Sequence, residues 1–428
     1  MRDVLITLIV FGALPFILRN PSYGMAAWIW ISVMNPHMQG WGFARTFPFA
    51  AIIAAVTMVS MLINRERFRL PMTGVVWAFL AFVAWMTIGT LFAFYPDRIG
   101  EQLNKVLKIM GMSLIVLMLL KNREHVKWLI WTVVISLGFY GVKGGIFTLV
   151  NGGAYRVWGP TGTFIDGNNE IALALVMNIP LMYYLMEEIE NKWGKRAMLA
   201  SIGLCAIASL GSYSRGAALA LAAMLAFMWL KSKHKVKLGL VLAIVVPLAL
   251  MFMPEQWHSR IDTINSYEQD ASAMGRINAW RMAFNLANDR PLFGGSFEVY
   301  TREVFSRYAP VPDDIHAAHS IYFQVLGEHG WVGLGLYLLL GLMTWRAGTW
   351  VLQHARYVDE LQWACDMVRM IQVSLLGFMV GGAFLSLAYF DVPYYLMAAL
   401  VAVRLLVEKE LAQRSKQAEI RSEADAVA

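Results

Sequence analysis

Arg215 lies in Ser212-Tyr213-Ser214-Arg215-Gly216-Ala217, immediately before an uncharged run from Ala218 to Leu230. An arginine at the mouth of a hydrophobic helix is costly unless it faces a polar cavity or an anion, so it reads as a functional residue. The competing reading is a helix-end anchor that snorkels to the surface. Arg276, close to Trp280 and Arg281, and His319, in Ala318-His319-Ser320-Ile321-Tyr322, are the next candidates. Guanidinium groups are permanently charged and fork-shaped, so two of them suit a diphosphate without any metal. Histidine suits the complementary task of taking a proton from an attacking hydroxyl near neutral pH. These residue types predict a membrane enzyme acting on a phosphorylated lipid, with His319 as base and Arg215 and Arg276 as anion clamps.

Other residues form a second tier. Lys143, beside Gly144-Gly145, either adds a third cation or snorkels. Arg156 and Arg281 fall on the same side of the membrane, Tyr322 follows His319 into the next span, and Asp391, before Pro393, either orients a base or caps a helix. His316 and His319 at i, i+3, with Asp313 or Asp314, have no third ligand at dependable spacing, so no metal is expected. Ser214 with His319 lacks both a Gly-x-Ser-x-Gly elbow and an Asp orienter, which argues against a serine hydrolase. Cys205 and Cys365 fall in or beside apolar helices and read as packing residues.

The elements that must position these groups are helices in a membrane. The chain of 428 residues is 58% hydrophobic, too apolar for an ordinary soluble domain. Its net charge of +7 sits in short clusters between apolar runs, which orients a membrane protein and excludes nucleic acid as a partner. Apolar runs of spanning length predict an all-α polytopic protein of about twelve crossings. The clusters Arg65/Arg67/Arg69, Lys121/Arg123/Lys127, Lys192/Lys195/Arg196, Lys231/Lys233/Lys235/Lys237 and Arg346/Arg356 are expected inside. Met1 to Leu18 reads as a retained helix without a cleavage site. Residues 4–18 and 22–35, broken by Pro15, Arg19 and Pro21, are expected to contribute a single net crossing.

That topology divides the chain into a transmembrane bundle over 1–253, a long external loop over 254–320, C-terminal spans over 321–408 and a disordered cytoplasmic tail over 409–428. The loop is polar and much longer than the others, so a function is expected of it. Within it, Gly275 to Phe284 has helical spacing of Ile277, Trp280 or Arg281 and Phe284, and Pro291 and Gly294-Gly295 stop the pattern. This predicts an amphipathic helix on or near the membrane surface. A lipid transporter would also need cations, but transporters hold them near the midplane. Here they gather at the external end.

At these residues the chain resembles the bacterial superfamily of O-antigen ligases (WaaL), Wzy-type polymerases and protein O-oligosaccharyltransferases. The resemblance rests on Gly162-Thr163-Phe164 with Asp166-Gly167-Asn168, Ser212-Tyr213-Ser214-Arg215-Gly216, Gly275-Arg276 with Trp280, Pro291-Leu292-Phe293-Gly294, and His319-Ser320-Ile321-Tyr322 with Gly327-Glu328-His329-Gly330. Met34-Asn35-Pro36-His37 and Trp41-Gly42-Phe43 are similar to a branch described as putative O-glycosylation ligases. The resemblance implies inverting, metal- and cofactor-independent transfer of a glycan from undecaprenyl diphosphate, on the periplasmic face of the inner membrane. Lipid A-core is the implied acceptor, with a Ser or Thr of a protein as the alternative. It maps the catalytic base onto His319 and the diphosphate clamps onto Arg215 and Arg276. Asp166-Gly167-Asn168 stands where the family has Asn-Pro-Asn, which leaves that segment without an assigned role.

Overall fold

The computed structural model describes residues 1–427 apart from 66–68, 232–234 and 258–270. Arg67, Lys233 and the early part of the long loop therefore lie outside the described residues. The helices are α1 (Arg2–Arg19), α2 (Pro21–Val33), α3 (Phe49–Ile63), α4 (Gly74–Gly89), α5 (Gly100–Leu119), α6 (Arg123–Val150), α7 (Asn168–Glu188) and α8 (Lys192–Leu210). They continue with α9 (Arg215–Lys231), α10 (Lys235–Phe252), α11 (Ala271–Asp289), α12 (Arg302–Tyr308), α13 (Ile321–His354), α14 (Gln362–Gly382) and α15 (Asp391–Val427). No strand occurs among the described residues. The segments Gly74–Phe92, Gly100–Leu119, Arg123–Val150, Asn168–Glu188, Ile321–His354 and Asp359–Gly382 are long and apolar enough to cross a membrane. The described residues are thus all-helical, with several segments of membrane-spanning length and composition.

Helix α7 is the axis of the bundle. Its residues from Ile171 to Met182 are all buried, as expected of a helix apolar on every side and enclosed by α6, α8, α9 and α14. Pro180 interrupts its backbone ladder, and Ser374 Oγ donates to the nearby Met177 carbonyl at 2.7 Å. Small residues set the spacing of α6 against α8. A Cβ on Gly141 would lie 2.1 Å from Cys205 Sγ, and one on Gly145 would lie 2.3 Å from the Leu204 carbonyl oxygen. Such a seam lets helix backbones approach closely. Cys205 is a buried packing residue there, as the sequence predicts.

Four elements differ from expectation. Pro15 lies inside α1 without ending it, and the chain instead turns at the extended Asn20. The run expected as one span over 321–345 is two helical segments, broken at Gly330 with φ 68° and ψ −170°. The break frees backbone groups, and the preceding loop pairs with them. Gly295 and Ser296 amides donate to the Gly327 and Glu328 carbonyls at 3.0 and 2.8 Å, and the Trp331 amide donates to the Pro291 carbonyl at 2.9 Å.

The helix expected over 275–284 runs over all of α11. Its buried face is Gly275, Asn278, Ala279, Met282, Ala283 and Leu286, whereas Phe284 is exposed. Small residues allow α11 to pack on α13 and α12, so it is part of the protein body and not a free surface helix. The tail expected to be disordered continues α15 to Val427. Arg404–Glu408 and Arg414–Glu410 pairs at i, i+4 support it, and Arg414 also reaches Glu360 at 3.2 Å.

Candidate active site

Ser214 fixes where α9 begins. Its Oγ accepts from the Ala217 amide at 3.2 Å, a capping bond that places Arg215 at the first helical position. Buried and engaged in this way, the Ser214 hydroxyl acts as a helix cap. The preceding turn is tied down on two sides. Asn168 Nδ2 donates to the Ser212 carbonyl at 2.7 Å, and Tyr213 OH donates to the Gly153 carbonyl at 2.7 Å. Tyr213 itself adopts φ 62°. A side chain held in this left-handed region carries strain that its surroundings must overcome. Gly216 packs closely behind it, where a Cβ would sit 3.1 Å from Phe384 Cβ.

Arg276 and His319 are brought together by α11. Trp280 Nε1 donates to the Ala318 carbonyl at 2.7 Å, and its indole stacks on Phe323 with centroids 5.1 Å apart. Asn278 Nδ2 donates to the Val311 and Asp314 carbonyls, while its Oδ1 accepts from the Val311 amide. The segment leading to His319 is thereby pinned to the helix that carries Arg276. His316, bonded to Asp314 Oδ1 at 2.7 Å, lies against Gly275, where a Cβ would come within 2.4 Å of its ring.

His319 adopts φ 42° and its amide donates to Ser386 Oγ at 2.8 Å. Its Nδ1 is buried with no hydrogen-bond partner. Burial, reinforced by the positive fields of Arg276 and His316, lowers its pKa to about 4. At neutral pH the ring is uncharged and able to accept a proton.

Arg215 and Arg276 line one pocket of about 320 Å³ with Asn169, Ser214, Ser272 and Phe384. Two guanidinium groups lining one polar pocket are of the chemistry that suits an anion. A second, more open pocket of about 840 Å³ lies beside it, lined in part by Lys105, Trp158, Asp166, Glu170 and Ser386. The first turn of α7 serves both pockets through Asn169 and Glu170, as does the turn after α14 through Leu385 and Ser386. His319 hangs from that shared turn.

The second-tier residues divide. Arg156 lies over the Tyr213 ring at 5.8 Å and thus buttresses the Arg215 turn. Lys143 is exposed on α6 and Arg281 is exposed on α11, and neither lines either pocket. Tyr322 donates its OH to the Met379 carbonyl at 3.0 Å and faces an apolar pocket with Tyr337 and Tyr394. Asp391 opens α15, is buried, and faces Ser32, Tyr395 and Lys105 rather than His319.

Several residues near the site carry little signal in sequence. Lys105, Glu170 and Ser386 come from three separate elements, and only folding makes them neighbours. Glu328 and His329 are buried on the first segment of α13 and meet Tyr389. The Tyr389 hydroxyl donates to Glu328 and lies 2.7 Å from His329 Nε2. Together with the Ala388 amide donating to Gln324 Oε1 at 3.2 Å, this network fastens the turn that bears Ser386 to α13.

Residues 200–338 match the family described as O-antigen ligase, and residues 1–190 match a family of unknown function (DUF5935). No curated protein matches the chain. The first match includes Arg215, Arg276 and His319. Lys105, Asp166 and Glu170 fall within the second.

Proposed function

We propose, from the match of residues 200–338 to the family described as O-antigen ligase, that the chain is a member of that superfamily and an inverting inner-membrane glycosyltransferase of about twelve crossings. It moves polysaccharide from undecaprenyl diphosphate to a hydroxyl of lipid A-core on the periplasmic face, where residues 254–320 and the two pockets lie. The observation that carries this reading is the pocket shared by Arg215 and Arg276, with His319 within the field of Arg276.

In the reaction, the acceptor hydroxyl loses its proton to Nδ1 of His319 and its oxygen attacks the anomeric carbon. The bond from that carbon to the diphosphate oxygen breaks on the opposite face, so configuration inverts. The departing diphosphate carries away the electron pair and its growing charge meets Arg215 and Arg276. Preorganised charges of this kind are commonly the largest single contribution to catalysis. Bound diphosphate also offsets the field of Arg276 on His319, so the base strengthens when the donor is in place.

Protein O-glycosylation or glycan polymerisation would use the same chemistry on another hydroxyl. A lipopolysaccharide gel from a strain lacking the gene decides between acceptors: loss of a lipid A-core ligase leaves unsubstituted core without a ladder, loss of a polymerase leaves core bearing a single repeat, and loss of a protein O-glycosylation enzyme leaves the ladder in place. An intact ladder would reject this acceptor. A lipid transporter is less well supported, since Arg215 opens its helix, Arg276 lies outside the membrane-length segments and His319 precedes α13.

A further inference from the structure

The second pocket has a chemistry unlike that of the first. Two guanidiniums line one, whereas Asp166 and Glu170 line the other with a single Lys105. Carboxylates repel a diphosphate and accept hydrogen bonds from hydroxyl groups. Trp158 adds an indole that is 60% exposed and available to stack against a ligand. Lys105 Nζ lies 3.9 Å from the centre of the Phe164 ring, a cation–π contact that holds the ammonium at the wall.

The wall carrying these groups is built to hold its shape. The Gly159 amide donates to the Asp166 carbonyl and the Gly162 amide to Asp166 Oδ2, both at 2.9 Å. Thr163 Oγ1 donates to the Pro160 carbonyl at 2.8 Å and accepts from the Ile165 amide at 3.2 Å. Gly162 is at φ 80°, where a side chain would be strained. This is the segment Gly162 to Asn168, which donor binding leaves unused.

We propose that this pocket is the acceptor subsite and that it takes a saccharide. Sugar hydroxyls bond to Asp166 and Glu170, a sugar face stacks on Trp158, and Lys105 supplies a donor. Ser386, on the pocket wall, holds the backbone of His319, so an acceptor seated here presents its hydroxyl to the base while the donor occupies the arginine pocket. The assignment rests on the glycosyl-transfer reading and deepens it.

The test uses the full-length protein in nanodiscs with Trp158→Ala and Glu170→Gln, varying the donor and lipid A-core independently. The expected result is a rise of about tenfold or more in the acceptor KM with the donor KM unchanged, equivalent to about 1.4 kcal/mol of acceptor binding. Unchanged acceptor KM in both variants, or a donor KM that rises equally, overturns the subsite. Failure of the underlying reading is distinguishable, because it abolishes transfer by the unmodified protein.

Binding of delipidated core oligosaccharide, read by tryptophan fluorescence without donor, then decides the subsite alone. Binding that Trp158→Ala weakens at least tenfold supports it. No binding by the unmodified protein, or equal binding by Trp158→Ala, overturns it. A Ser/Thr peptide that binds in a Trp158-dependent manner where the oligosaccharide does not would reject a saccharide.

Discussion

The depressed basicity of His319 has a kinetic signature that separates a base in the arginine field from an ordinary histidine. Burial and the field of Arg276 lower its pKa from 6.5 to about 4, which disfavours the imidazolium. Since only the neutral ring accepts a proton, activity is present above the folded pKa and lost as pH falls through it. In the free enzyme, kcat/KM for the donor should therefore rise through about pH 4 and be level across the ordinary histidine range.

Donor diphosphate brings negative charge to Arg276, so the pKa in the complex rises and the acid limb of kcat should lie at higher pH than that of kcat/KM. Arg276→Gln removes one positive neighbour and should move the kcat/KM limb upward. The assay is initial-rate transfer by protein in nanodiscs, buffered from about pH 3 to about pH 8 and corrected for inactivation. Both limbs coinciding near the ordinary histidine value, or a limb that Arg276→Gln leaves in place, would refute the reasoning.

Arg215→Ala and Arg276→Ala should each lower kcat by about 10²–10³-fold if they stabilise the leaving group, with lysine restoring part of the loss; rapid-quench transfer measures this, with melting confirming that the variants fold. Tyr389→Phe leaves Glu328 and His329 without their shared hydroxyl and should cost about 1–3 kcal/mol of stability, measured by denaturation in detergent. Combining it with Glu328→Gln should cost less than the sum of the single changes, because one network is being counted twice. Gly330→Ala forces a Cβ to 2.5 Å from the Pro291 carbonyl at a positive φ, so its melting temperature should fall, whereas Gly335→Ala, with open space around it, should be nearly neutral.

Much of the site is legible in the chain because charge in an apolar sequence has few innocent explanations. Arg215 before an uncharged run and Arg276 on a helical pattern are such cases, and the fold brings them to one cavity. Glu170 and Lys105 are not legible, since each is an ordinary polar residue near a helix start and acquires meaning only from neighbours far along the chain. Gly330 reads as a tolerated glycine in an apolar helix. Its positive φ stands beside the loop carbonyls of Pro291 and Leu292, which leave no room for a Cβ and which no local pattern reveals. The buried face of α11 is hidden for a related reason, as Gly275, Ala279 and Ala283 bury themselves by close approach while hydrophobic periodicity favours larger residues. The tail's helix carries an i, i+4 ion pair between Arg414 and Glu410 whose geometry a polar composition conceals.

The most direct test of the central claim is in-vitro transfer from undecaprenyl diphosphate-linked glycan to lipid A-core in EDTA, comparing the intact protein with His319→Ala and Arg215→Ala. The account predicts that the intact protein transfers glycan and that each folded variant loses nearly all of that activity. Full activity in His319→Ala, or transfer abolished by EDTA and restored by a divalent cation, would contradict it.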